Sequence, residues 1–285
     1  RIERYLRVKG NDAVMNLFDL HCDTVYECAT KHKDLKENDL HLDLNRGIAA
    51  TDKWVQTFAF WIADDLTEEE QYCSYQRQLS CFHTFSEQYS ELAPYHGEAE
   101  HSKCRYLLSV EGGSAIGGDL DRIRAFREDG IRMLTLTWNG ENRIGGGAQS
   151  TQGLTSFGRE VIRELEAQQI VVDVSHLNRK TFFDVCRTAE KPFIATHSNA
   201  FRICSHPRNL DDDQIKELAA CDGLIGLNLF CDFLSSENDC KTEDFIRHIE
   251  YFLSCGAEYN LAIGTDFDGA KMPKWIKGIE SLEML

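Results

Sequence analysis

Long apolar runs and basic residues are both scarce in this sequence. The longest apolar run, near residues 58–63, is far shorter than the roughly 20 residues that a membrane-spanning helix needs. The 31 Lys and Arg residues stand against 47 Asp and Glu, so the formal charge is −16. A field of that sign repels phosphate backbones and anionic lipid. We therefore expect neither nucleic acid nor a membrane as a partner.

Cysteine pairing motifs and a secretion signal are also missing. The 11 cysteines are odd in number and contain no C-x-x-C pair, which argues against a structural zinc site. Residues 1–14 are basic but have no apolar signal core. We therefore expect reduced thiols and a cytoplasmic protein. Residues 1–14 precede Met15 and the first convincing strand, so we expect them to form an extension outside the fold.

The sequence has no internal repeat, low-complexity tract or Pro/Ser-rich linker. The glycine-rich segment 139–153 lacks the spacing and the lysine of a P-loop, so we interpret it as a flexible active-site loop. A length of 285 residues suits one α/β barrel, which commonly takes about 250 residues. We predict a single catalytic domain over 15–285.

Short apolar runs without strict alternation predict eight strands that are buried on both faces, as in a parallel sheet. These predicted strands are 17–20, 55–61, 106–110, 133–137, 170–174, 193–196, 224–229 and 261–264. Helical patterns separate them at 68–91, 119–128, 157–168, 179–187, 212–220 and 243–254. Asp211 or Asp212 and Thr242 are predicted helix caps. The alternation predicts a (β/α)₈ TIM barrel of the α/β class, with an open doubly wound sheet as the alternative.

Catalytic residues of such a barrel lie at the carboxyl ends of its strands. Ligand-type side chains recur at this position on five predicted strands: His21, Asp23, Glu111, His176, His197 and Asp266. In His-x-Asp, the period of two along a strand points both side chains to the same side. Any one of these residues alone is more typical of a turn, a cap or the core, but their recurrence predicts a metal site. Imidazole and carboxylate together suit zinc, with manganese, cobalt or iron as alternatives.

Six segments occur in the order and spacing of one known family. They are FDLHCDT, SVEGG, LTLTWNGEN, VVDVSH, PFIATHSNAFRICSHPRNL and GTDFDG. Through them, residues 17–272 resemble the membrane dipeptidase (renal dipeptidase) family of zinc peptidases, a group within the amidohydrolase-like barrels. The long segment that contains His197 and Arg208 is the most specific of the six.

The resemblance implies a site with two Zn²⁺ ions, for which Mn²⁺ or Co²⁺ could substitute. By this resemblance His21 and Asp23 bind one ion, His176 and His197 bind the other, and Glu111 bridges the two. A hydroxide between the ions would attack the peptide carbonyl, because bound metal lowers the pKa of water from about 15.7 to near neutrality.

The same resemblance implies the remaining catalytic and substrate-binding roles. Asp266 would act with Glu111 in catalysis, as the acid/base group. Arg208 would grip the carboxylate of the substrate's C-terminal residue, which restricts the enzyme to small L,L- or L,D-dipeptides. A homodimer is also expected. The alternatives are an N-acyl-amino-acid deacylase or lactonase on the same barrel, and an inactive barrel that binds metal.

The sequence departs from the family pattern in two places. Many members carry a histidine after the fourth strand, where it helps to hold the substrate's carbonyl oxygen, and here Trp138 stands at that position. Trp138 offers one N–H, and Asn139 or Asn142 could supply another donor. The family usually continues with further helices after the eighth strand, so we expect this chain to lack part of the C-terminal helical region.

Overall fold

The computed structural model describes residues 15–237 and 240–285, so the predicted N-terminal extension lies outside the described residues. The strands are β1 Met15–Cys22, β2 Thr51–Trp61, β3 Leu92–Pro94, β4 Cys104–Glu111, β5 Ile131–Thr135, β6 Val171–Asp173, β7 Ile225–Leu227 and β8 Leu261–Ile263. The helices are α1 Thr24–Lys31, α2 Leu44–Ala50, α3 Glu68–Gln88, α4 Asp121–Glu128, α5 Ser156–Ala167, α6 Arg179–Cys186, α7 Asp212–Ala220, α8 Cys231–Leu234 and α9 Thr242–Ser254, with short 3-10 helices at Gly113–Ile116 and Ile279–Met284.

The strands form a curled parallel sheet in the order β6-β5-β4-β2-β1-β8-β7. Its two end strands are joined through the segment at 193–198. Ile194 bridges Asp173, the last residue of β6, and Ala195 bridges Ile225 in β7. The segment therefore takes the place of the predicted sixth strand, although it forms isolated bridges instead of a regular ladder. The fold is the predicted (β/α)₈ barrel, and the open-sheet alternative is wrong.

Two glycines allow this segment to close the barrel. A Cβ atom on Gly226 or on Gly264 would lie 1.8 Å from the carbonyl oxygen of Thr196. No side chain fits into that space, so β7 and β8 can approach the segment only with glycine at these two positions.

The helices cover the outer face of the sheet by burying one apolar stripe each. Phe82 of α3 contacts Phe58 and Tyr106 of the sheet, with ring centroids 5.4 Å and 4.8 Å apart. The buried face of α5 is Val161, Ile162 and Leu165. None of the helices that the structure describes combines the length and apolar composition needed to cross a bilayer.

Several predicted boundaries change. Strand β3 was not predicted, because its three residues include Pro94 and pair only with the first part of β4. The prediction also omitted α1, α2 and α8, and the seven residues of α2 and four of α8 are too few to show a clear period. Asp211 caps α7 as predicted, in a capping box with Gln214. The predicted cap Thr242 is wrong by one residue, because the N-cap of α9 is Lys241.

Candidate metal centre

The predicted ligands converge at the carboxyl-terminal rim of the barrel. His21 lies at the end of β1, Glu111 is the last residue of β4, and His176 follows β6. His197 follows the closing segment, and Asp266 follows β8. The five predicted ligands and Asp266 are all buried. The structure thus brings together every residue that was predicted to bind metal.

Glu111 lies at the centre of the cluster. Its Oε2 atom is 3.5 Å from Nε2 of His21. Its Oε1 atom is 2.8 Å from Nε2 of His176 and 3.7 Å from Nε2 of His197. The two oxygens of one carboxylate therefore face different imidazoles, which is the geometry of a group that can touch two neighbouring cations.

The ends of β1 and β8 hold the second half of the cluster. Nε2 of His21 lies 3.4 Å from Oδ2 of Asp23 and 4.0 Å from Oδ1 of Asp266. The backbone fixes this proximity, because the N–H of Asp266 donates to the carbonyl of His21 at 3.1 Å. Gly269 is required beside them, since a Cβ atom there would lie 2.0 Å from Oδ2 of Asp23.

Hydrogen bonds behind the cluster fix the tautomers of two imidazoles. Nδ1 of His176 lies 2.9 Å from the carboxamide oxygen of Asn139, which can only accept. Nδ1 of His197 lies 2.8 Å from the hydroxyl of Thr196, which itself donates to Oδ2 of Asp173. Both rings therefore carry their proton on Nδ1 and present the Nε2 lone pair to the centre, as metal-bound histidines do.

Unpartnered polar atoms show that a cation fits this cluster. Both ring nitrogens of His21 and Oδ1 of Asp23 are buried without a hydrogen-bond partner. An orphaned buried group of this kind costs about 1–3 kcal/mol. Ligand atoms of His21, Glu111 and His197 lie within 4.8 Å of one another, as do those of His21, Asp23 and Asp266. Nitrogen and oxygen donors at such spacing suit zinc and similar divalent ions.

Electrostatics favours a cation at the same point. Burial raises the pKa of Asp23 well above its usual value, and Glu111 adds to the shift. Burial lowers the pKa of His21, but the carboxylates of Asp23 and Glu111 outweigh it and hold that pKa well above its usual value. Burial and Arg208 lower the pKa of His176 to about 4. The crowded carboxylates, which also raise the pKa of His21, and the neutral ring of His176 thus favour positive charge at this point.

Three residues of the site have left-handed backbone conformations that few non-glycine residues adopt. The φ angles are 69° at His176, 61° at Asp266 and 69° at Asp268. Strain of this kind costs about 1–3 kcal/mol per residue and is concentrated at functional sites. The surrounding structure holds these residues in strained conformations at the place where it positions the cluster.

The cluster opens into a cavity of about 600 Å³. Tyr26, Trp61 and Trp138 form one aromatic wall, with ring centroids 4.8 Å and 5.2 Å apart along the series. Phe230 and Phe233 line another part of the cavity. A cavity with a polar floor and aromatic walls suits a small substrate with apolar side chains.

Arg208 lines the same cavity as a buried cation, and one of its terminal nitrogens donates to the carbonyl of His197 at 3.4 Å. Its side chain is buried, and its Nε atom has no hydrogen-bond partner. Within residues 15–237 and 240–285, no carboxylate lies close enough to form a salt bridge with it. Burial lowers the pKa of Arg208 to about 10. A buried guanidinium without a counter-ion is suited to bind an anion.

The three other predicted donors have different environments. Trp138 lines the cavity. Asn139 also lines it and holds His176 through its oxygen. Asn142 is used within its own loop, since its nitrogen donates to the carbonyl of Leu136 and its oxygen accepts from the N–H groups of Ile144 and Gly145. The prediction of Asn142 as a substrate donor is therefore wrong.

Asn228 is a site residue that the sequence analysis missed. It follows β7, is fully buried, and donates from Nδ2 to Oδ2 of Asp266 at 2.8 Å. The side chain of Asn199 holds the backbone of Asn228 through two hydrogen bonds. Its Oδ1 accepts from the N–H of Asn228 at 3.0 Å, and its Nδ2 donates to the carbonyl of Asn228 at 2.9 Å. The signal for it is its position, since Asn228 lies one residue before the end of the seventh predicted strand, at the same rim as the predicted ligands.

Fold and site together define a metal-dependent hydrolase built on a (β/α)₈ barrel. The sequence pattern of the membrane dipeptidase family (peptidase family M19) matches residues 11–285. The chain therefore belongs to the membrane dipeptidase family, and it is a peptide-bond hydrolase of the metallopeptidase class.

Individual relatives agree with this assignment. An uncharacterised protein of Klebsiella pneumoniae, from the region 5′ of pqqA, is 33% identical over 66% of this chain and 76% of its own length. Dipeptidase aclJ of Aspergillus oryzae is 28% identical over 72% of this chain, which spans 50% of that protein. The sequence thus aligns with about half of the Aspergillus relative.

Solved structures share the fold. The crystal structure of dipeptidase AC, a metallopeptidase of family M19, is 25% identical and superposes with a TM-score of 0.88 over 96% of this chain and 90% of that chain. A metallopeptidase from Rhodobacter sphaeroides, liganded with a phosphinate mimic of the dipeptide L-Ala-D-Ala, is 24% identical. Its TM-score is also 0.88, over 96% of this chain and 92% of that chain.

Proposed function

We propose that the protein is a zinc-dependent dipeptidase that hydrolyses the peptide bond of small L,L- or L,D-dipeptides. One observation carries this proposal: Arg208, buried and without a counter-ion, lines the same cavity as the cluster of metal-ligating residues. A dipeptide places its C-terminal carboxylate one residue away from its only peptide bond. A fixed cation near the reacting centre therefore selects for short substrates.

We propose that the cluster holds two divalent ions, with zinc as the first choice and Mn²⁺ or Co²⁺ as alternatives. His21 and Asp23 would hold one ion, and His176 and His197 would hold the other. The two oxygens of Glu111, which face His21 and His176 respectively, support a shared position between them. Bound divalent ions would supply Lewis-acid polarisation of the peptide carbonyl and a more acidic water.

Asp266 is the group that we propose as the proton carrier. It lines the cavity, and burial raises the pKa of its carboxyl group. The bond from Asn228 fixes its Oδ2 atom, so Oδ1 remains directed toward His21. From this position the carboxylate can accept the proton of the attacking water and deliver it to the leaving amine.

The aromatic wall is the proposed site for the amino-terminal residue of the substrate. If Arg208 holds the carboxylate of the C-terminal residue, the other residue extends past the cluster toward Trp61 and Trp138. The amide nitrogen of Asn139 makes no hydrogen bond within the described chain and lines the cavity, so it can donate to the substrate. The name of the Aspergillus relative, a dipeptidase, supports the same substrate class.

The test is amino-acid release from a panel of L,L- and L,D-dipeptides, measured before and after metal is removed with a chelator and zinc is restored. We expect cleavage that is lost with the chelator and regained with zinc. N-acetylated amino acids and lactones belong in the same panel. Turnover of those compounds without any dipeptide cleavage would instead indicate a deacylase or a lactonase. Stoichiometric metal binding with no turnover of any compound would indicate an inactive barrel.

A further inference from the structure

The thiols of Cys231 and Cys240 lie in direct contact beside the cavity wall. Their Sγ atoms are 3.0 Å apart, and the thiol of Cys240 donates to that of Cys231. Both residues are buried. In the parts of the chain that the structure describes, no other two cysteine thiols are hydrogen-bonded to each other. A disulfide has an S–S length of about 2.05 Å, so the two sulfurs need to approach by only about 1 Å to form one.

We propose that Cys231 and Cys240 are a modification site at which an intramolecular disulfide forms. Cys231 is the first residue of α8, and Cys240 directly precedes Lys241, the N-cap of α9. The bond would therefore join α8 covalently to the start of α9. This proposal does not depend on the substrate or on the metals.

Helix α8 is a place where such a link has structural consequences. Its carbonyl groups accept from three side chains outside it: Asp232 from the thiol of Cys204, Phe233 from the amide of Asn209, and Leu234 from His248. Cys204 and Asn209 belong to the loop that carries Arg208. The loop that carries Arg208, the proposed carboxylate clamp, is thus hydrogen-bonded to a helix of only four residues.

A helix of four residues has little stability of its own, because helix nucleation is unfavourable. Its position depends on the surrounding contacts, and a covalent link restricts the opened states of the chain more than those contacts do. The disulfide would therefore stabilise α8 and the Arg208 loop together.

The reaction needs an oxidant, and we assign this role to a low-molecular-weight disulfide such as oxidised glutathione. Two S–H bonds break and one S–S bond forms. The two electrons and two protons pass to the oxidant, which leaves as two thiols. Burial raises the pKa of the Cys240 thiol, and Cys231 adds to this shift, so thiolate is scarce in the folded protein. Exchange is accordingly expected to be slow in the native state and faster during refolding.

The experiment uses the full chain loaded with zinc, incubated with oxidised glutathione either in the native state or during refolding from denaturant. Remaining thiols are alkylated, and the protein is digested without reduction for mass spectrometry. With a protease that cleaves after Glu237, which lies between the two cysteines, we expect a linked pair of peptides that contain Cys231 and Cys240. We also expect a Tm about 5 °C above that of the reduced protein. Cys231→Ser and Cys240→Ser should each abolish both effects, whereas Cys73→Ser, at an exposed position, should keep them.

The proposal is overturned if neither native nor refolded oxidised protein contains the link between Cys231 and Cys240. It is also overturned if the link forms and Tm does not rise, because the disulfide would then not stabilise α8 and the Arg208 loop. The peptide map of the unsubstituted protein decides the first point even where a serine variant fails to fold. Dipeptide hydrolysis is measured separately, so its outcome does not affect this test.

Discussion

The Nε2 atoms of His176 and His197 lie 2.8 Å apart, and each ring donates a hydrogen bond from Nδ1 to an acceptor behind it. Two nitrogen lone pairs at this distance repel each other unless a cation lies between or beside them. Burial lowers the pKa of both rings, to about 4 for His176, so neither takes up a second proton near neutral pH. The pair is therefore suited to hold a metal ion, and Oε1 of Glu111 lies close enough, 2.8 Å from Nε2 of His176, to serve as a further ligand in the proposed site.

The hydrogen-bond relay behind His197 gives the first prediction. Thr196→Val removes the hydroxyl that accepts a hydrogen bond from Nδ1 of His197 and donates one to Oδ2 of Asp173. We expect metal affinity to fall by about 10- to 100-fold, the usual cost of losing such a supporting group. Zinc titration with a competing chelator measures it. Thr57→Val is the matched control, because that buried hydroxyl has no hydrogen-bond partner. Equal zinc affinities of the two variants would show that the Thr196 hydroxyl does not support metal binding by His197.

Arg208 gives the second prediction. Arg208→Ala removes the buried guanidinium, and we expect KM for a dipeptide to rise by about 10- to 100-fold, because hydrogen bonds to charged groups contribute about 1.5–3 kcal/mol. A substrate whose C-terminal carboxylate is amidated should be affected much less. Arg202→Ala, an exposed position in the same loop, is the control. An unchanged KM in Arg208→Ala would rule out the carboxylate clamp and favour the alternative hydrolases.

The convergence of the proposed ligands could be predicted from sequence because parallel strands end at one rim. His21, Glu111 and His176 each follow an apolar run, and the barrel topology brings the ends of those runs together whatever the side-chain details. Arg208 is different. It lies far along a loop after His197, and its residue type alone fits a surface salt bridge equally well. Only the family resemblance singled it out, and its burial is a property of tertiary packing.

Other features depend on contacts that no local pattern records. The link from Asn228 to Asp266 joins β7 to β8 through side chains, so neither strand's sequence shows it. The bridged segment at 193–198 follows the strand pattern, yet Gly226 in β7 and Gly264 directly after β8 decide how closely it packs. Asn142 had the correct residue type for a donor, but its own loop uses both ends of its amide.

Asn228 gives the third prediction. Asn228→Ala leaves Oδ2 of Asp266 without its buried partner, so the carboxylate can turn away from His21. We expect kcat to fall by about 10-fold or more, with little change in KM or in bound metal, since the lost hydrogen bond is to a charged group. Asn260→Ala is the control, because its amide bonds to Gly223 at the other end of β8. A variant that loses stability as the control does but keeps its kcat would show that Asn228 has only a structural role.

His248 gives the last prediction, which concerns stability. This fully buried ring in α9 accepts from the N–H of Ala200 and donates to the carbonyl of Leu234, so its neutral form is the one that the fold binds. Burial lowers its pKa from 6.5 to about 4. Between these two values the unfolded chain carries a proton on His248 that the folded chain lacks. The stabilisation is complete above pH 6.5 and is lost as the pH falls toward 4, by about 1.4 kcal/mol per pH unit.

His248→Gln keeps a donor and an acceptor at this position but does not titrate. Urea unfolding of both proteins at pH 7.5, 6.0 and 5.0, with zinc held constant, should show a smaller loss of unfolding free energy in the variant as the pH falls. His83→Gln, on the exposed face of α3, should follow the unsubstituted protein. Other buried imidazoles titrate in both proteins, so the difference between the two curves isolates His248. Parallel curves for His248→Gln and the unsubstituted protein would mean that the folded and unfolded chains bind this proton equally well, and that burial in α9 does not keep the ring neutral.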